Sequence, residues 1–105
     1  MAMLKPADQA QILFKTALRF AGEKQYDKSI GLFQEILAIT PGNPLIYYNI
    51  SCLYAIQNRK AEAVEWLRQA VDHGYENWDK MKTDKDLENI KNEPMYRNLL
   101  QKNIK

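Results

Sequence analysis

At 105 residues the chain has room for one hydrophobic core and not for two independent domains. Its 15 Lys and Arg face 13 Asp and Glu, a formal net charge of +2, with the signs interleaved as in Glu23-Lys24, Asp27-Lys28 and Asp84-Lys85-Asp86. This mixing leaves no basic face for nucleic acid or acidic lipid, so neither nucleic acid nor membrane is expected as a partner.

The opening Met1-Ala2-Met3-Leu4-Lys5-Pro6 lacks the apolar run of a signal peptide, and no later stretch has the length of a membrane span. A cytoplasmic chain is expected, unless a targeting segment lies outside this sequence. Cys52 is the only cysteine and so has no internal disulfide partner.

In chain order, Ile12, Leu13, Thr16, Ala17 and Phe20 fall at helical intervals and predict an amphipathic helix over 8–21, with Gly22 loosening its end. Ile30, Phe33, Ile36 and Leu37 predict a second over 26–39, stopped by Thr40-Pro41-Gly42-Asn43-Pro44. The same stop begins the third helix, over 44–57, with Asn43 as N-cap and Pro44 in the first turn, where its missing N–H costs nothing. That helix carries Tyr47, Ile50, Ser51, Tyr54 and Ala55. A fourth, over 60–73, carries Ala63, Trp66, Leu67, Ala70 and Val71, and Gly74 supplies a left-handed residue at its end. The connections at 23–25 and 58–59 are too short for anything but antiparallel hairpins.

Beyond Tyr75 the pattern shortens. Asn77 is placed to cap a turn holding Trp78 and Met81, Thr83 one holding Leu87 and Ile90, and Pro94 opens a last helix with Met95, Tyr96, Leu99 and Leu100. These apolar residues need a surface to cover, and the second hairpin offers one.

The two hairpins repeat at an interval of 34 residues: Leu13, Ala17, Phe20, Ser29, Phe33 and Ile36 recur as Tyr47, Ser51, Tyr54, Ala63, Leu67 and Ala70. Small residues at Ala17, Ser29, Ser51 and Ala63 allow paired helices to approach, and Phe20 and Tyr54 fill the space beside them. This pattern of large and small side chains at that period resembles the tetratricopeptide repeat. Leu13 stands for its usual Trp, Thr16 for Leu, Lys24 and Asn58 for a turn glycine, and Tyr75 for a closing proline. The resemblance implies an all-α, right-handed array of two helix-turn-helix repeats, 7–40 and 44–74, closed by short capping helices over 75–105, in a single domain. The tail is similar to segments that close bacterial arrays of this family.

In the family, first helices line a concave groove that binds protein or peptide partners. Carried onto this chain, the groove positions are Gln11, Phe14, Lys15 and Leu18 in the first repeat and Leu45, Tyr48, Asn49, Cys52 and Ile56 in the second. Phe14, Leu18, Tyr48 and Cys52 would give it an apolar, aromatic centre suited to a peptide or partner helix. The same residues would equally suit packing against Met3 and Leu4, or a homodimer, or a regulatory unit detached from a larger protein. The family's carboxylate clamp is matched only by Asn49, because Phe14 and Leu18 stand where Lys and Asn are needed.

Enzyme chemistry is not expected. One His and one Cys, His73 and Cys52, do not make an ordinary zinc site. The acids Asp79, Asp84, Asp86 and Glu88 alternate with Lys80, Lys82 and Lys85 as a solvated face would, without a calcium loop. No metal or cofactor is expected.

Overall fold

A computed structural model of the chain describes residues 4–103, and every regular element among them is helical. The order is α1 (Pro6–Gly22), α2 (Tyr26–Ile39), α3 (Pro44–Ile56), α4 (Lys60–Asp72), α5 (Trp78–Thr83), a 3-10 helix (Lys85–Ile90) and α6 (Pro94–Asn103). Met3 lies outside the described residues, so a packing role for it is not addressed. No helix among the described residues is long and apolar enough to cross a membrane.

Local chemistry explains where the helices begin and end. Pro6 and Pro44 sit in first turns, and Asn43 Oδ1 accepts from the Leu45 N–H at 3.1 Å. Because Pro6 is tolerated there, α1 starts two residues before the expected Asp8. It ends at Gly22, as expected, and the left-handed residue that follows is Lys24, at φ 63°.

Three helices close in the same way. The Gln25 N–H reaches Phe20 O, the Arg59 N–H reaches Tyr54 O and the Tyr75 N–H reaches Ala70 O, each at 2.9 Å. The left-handed residues Lys24, Asn58 and Gly74 turn the chain so that these carbonyls find donors. Glycine takes that conformation freely, whereas Lys24 holds it against a Cβ clash.

Each hairpin is pinned by a small-residue crossing. Ala17, Ser29, Ser51 and Ala63 are all fully buried. Ser29 Oγ donates to Ala17 O at 2.7 Å across α1 and α2, and Ser51 Oγ donates to Ala63 O at 2.6 Å across α3 and α4. The Ser and Ala have exchanged helices between the hairpins, yet each hydroxyl finds the carbonyl opposite. Buried hydroxyls thereby avoid a desolvation cost while the backbones approach closely.

Two cores result. Ala17, Ile30, Phe33 and Ile36 pack with Ile46, Ile50 and Leu53 of α3, joining the first hairpin to the second. The other core combines Ala55, Ala63, Leu67 and Ala70 with Tyr75, Met81, Leu87, Ile90, Tyr96 and Leu99 of the tail. The tail is therefore part of the second core. Its second cap is Asp84 and not Thr83: Asp84 Oδ1 accepts from the Asp86 N–H at 3.0 Å, while Thr83 Oγ1 donates back to Asp79 O. A carboxylate beside a helix start is favoured over a hydroxyl that can satisfy itself one turn back.

Candidate functional site

The 3-10 helix lies along one side of α3 and decides which of that helix's residues remain accessible. Tyr48 and Cys52 point toward it, and both are buried. The Tyr48 ring stacks on Tyr75 with centroids 4.2 Å apart and planes 3° from parallel, and its hydroxyl donates to Asp84 Oδ2 at 2.7 Å. Cys52 Sγ lies 3.9 Å from the same oxygen. Asn89 Nδ2 donates to Ala55 O at 2.9 Å and ties the far end of the 3-10 helix to α3.

Burial first, then the Cys52 thiol and the Asp84 carboxylate, push the Tyr48 phenol far above its ordinary value. Burial likewise raises the Cys52 thiol, with the Asp84 and Asp86 charges adding to it. Cys52 is thus held as a neutral thiol at physiological pH, the opposite of an activated nucleophile. Cys52, Asp84 and Asp86 bring possible ligand atoms within 4.8 Å of one another. Asp84 Oδ2, however, already accepts from Tyr48 and lies 3.8 Å from Lys80 Nζ, so the group acts as a hydrogen-bond junction holding the tail down.

What stays open is a cleft of about 320 Å³ between the C-terminal half of α1, the middle of α3 and the tail. Its apolar walls come from Leu18 and Ala21 on one side and Leu53 and Ile56 on the other, with the rings of Tyr26 and Phe33 also lining it. Asn49 and Asp86 supply its polar groups, and Cys52 contributes its edge. Leu18 is 49% exposed at the rim. Burial raises the Asp86 carboxyl above its ordinary value of 3.8, the Asp84 charge raises it further, and Lys80 opposes both.

Of the nine groove positions named from the sequence, Leu18, Asn49, Cys52 and Ile56 come together in this cleft. Tyr48 does not, because the tail covers it. Phe14 is half-buried and meets Phe33 edge-on at 5.8 Å, so its ring serves packing. Gln11 and Lys15 are exposed on α1 away from the cleft lining, and Leu45 is 45% exposed at the start of α3. Tyr26, Phe33 and Asp86 were missed. Asp86 sits in the acidic run read as a solvated face, and only the Asp-x-Asp spacing of a capping turn at Asp84 signals that it would be held in place.

No family model matches the chain, and no solved structure matches it. Over 80 residues, at 25% identity, it is similar to a chloroplastic protein of Arabidopsis thaliana. The matched stretch covers 73% of this chain and 24% of that protein, so the chain corresponds to about a quarter of the relative's length.

Proposed function

We propose that this chain is a two-repeat tetratricopeptide-type array, closed by its own tail, that binds a short segment of a protein partner in the cleft between α1, α3 and the 3-10 helix. The observation that carries this reading is the cleft itself, with apolar walls, two polar groups and the exposed Leu18 at its rim. Pockets of this kind, at about 300 Å³ and above, combine apolar area for affinity with a few polar groups for orientation. The support for a tetratricopeptide arrangement is the pair of Ser-to-carbonyl crossings and the shared helix ending, which follow the 34-residue interval. Binding rather than catalysis fits a cysteine kept as a thiol.

A second reading, self-association, draws on Leu4 and Ile12, which are 53% and 52% exposed on or beside α1. Ile12 was expected on the packed stripe and lies instead on the accessible side of the helix. Sedimentation at several concentrations addresses this reading directly.

The cleft reading is tested by screening immobilised hexapeptides against the chain and against Leu18→Glu, then mapping bound peptides by amide chemical shifts. Binding is expected to perturb residues 18–22 and 49–56 and to be lost in Leu18→Glu. Peptides that bind without moving those amides, or that ignore the substitution, would refute it.

A further inference from the structure

Among the described residues, Asp86 is the one side chain of the cleft lining that carries charge at neutral pH, since Cys52 is held as a thiol and the remaining lining residues are neutral. No direct ion pair compensates it, although Lys80 lowers its carboxyl pKa from a greater distance. Lys80 Nζ pairs with Asp84, at 3.8 Å, and no Lys or Arg among the described residues lies within ion-pair distance of Asp86. The Asp84 carboxylate beside it adds repulsion. A formal charge of +2 over the whole chain thus coexists with a negative charge in the cleft that makes no direct ion pair among the described residues. Leu18 and Ile56 line the same cleft, surfaces that suit the methylene stem of a long cationic side chain. At about 320 Å³ the space admits side chains of a short segment and not the face of a folded domain.

We infer that the cleft selects a peptide segment in which an apolar side chain neighbours a Lys or Arg, the apolar group entering between Leu18, Leu53 and Ile56 and the cation resting on Asp86. This rests on the peptide-binding reading above and adds the chemistry of the partner. The charge match carries the choice. An acidic segment would meet Asp86 and Asp84 together, and a wholly apolar one would bury Asp86 further without a partner.

The hexapeptide screen separates the two claims when it includes Asp86→Asn and Asp86→Lys. Both are expected to fold, because the Asp86 bond within the tail is made by its backbone N–H. The unaltered chain is expected to select Leu, Ile, Met or Phe beside Lys or Arg, with binding that weakens as salt rises. Asp86→Asn is expected to weaken the selected peptides by about three- to tenfold, and Asp86→Lys to turn the selection toward Asp or Glu. Peptides that perturb Leu18, Asn49 and Ile56 with no basic preference, and with no response to Asp86→Asn, would overturn this inference and leave the cleft reading standing. Failure of every peptide to perturb those amides would overturn both, as would a dimer in solution that protects the same amides.

Discussion

Removing one oxygen from Tyr48 tests how the tail is held. Tyr48→Phe keeps the ring on Tyr75 and deletes only the bond to Asp84 Oδ2, a 2.7 Å contact to a carboxylate whose side chain is 11% exposed. Hydrogen bonds to charged groups contribute about 1.5–3 kcal/mol. Asp84 keeps the Asp86 N–H at 3.0 Å on its other oxygen and Lys80 at 3.8 Å, which offset part of the loss. The lower part of that range, about 1.5–2 kcal/mol, is therefore expected. Tyr48→Ala also removes the stacked ring and leaves a cavity, so about 3–5 kcal/mol is expected, a large share of the roughly 5–15 kcal/mol typical of a domain. Urea unfolding gives the magnitudes and amide exchange the location. Because Tyr48 belongs to the core shared by the second hairpin and the tail, protection should fall over 75–90 before it falls in α1 and α2. A Tyr48→Phe midpoint unchanged to within about 0.3 kcal/mol would refute the anchoring argument, as would protection lost evenly along the chain.

Four further predictions concern stability. The Asp86 carboxyl is raised in the folded state, so the folded chain holds more protons than the unfolded one from about 3.8 up to the raised value, and stability falls as pH rises through that window. Asp86→Asn should therefore be more stable than the unaltered chain at neutral pH and lose that advantage below it, read from urea midpoints across pH; an advantage that persists at low pH would contradict the assignment. Ala63→Leu should overpack the α3 to α4 crossing by about 1–3 kcal/mol, and Ser51→Ala should cost about 1 kcal/mol by removing the hydroxyl bond to Ala63 O, both by urea unfolding. Lys24→Gly should stabilise by about 0.5–1 kcal/mol, the left-handed strain at φ 63° less the added freedom of glycine in the unfolded chain, and a lower melting temperature would refute it.

Sequence alone determined the local features, because each is set by groups a few residues apart. Apolar side chains at helical spacing marked the helices, Asn43 and Asn77 announced their caps, and Ala17, Ser29, Ser51 and Ala63 announced where paired helices would touch. The bond partners at those crossings are 12 residues apart in both hairpins, close enough for a repeat pattern to reveal. The tail covers the second hairpin, as its apolar spacing leads one to expect, but tertiary structure alone decided which side chains of α3 it buries. The deciding bonds, Tyr48 to Asp84 and Asn89 to Ala55, join residues 36 and 34 positions apart. That choice buried Tyr48 and Cys52, left Leu18, Asn49 and Ile56 lining an open cleft, and brought Asp86 beside them. Asp86 stays exposed, as the solvated-face reading of the acidic run expects, yet only the folded tail places it at the lining of a cleft with apolar walls.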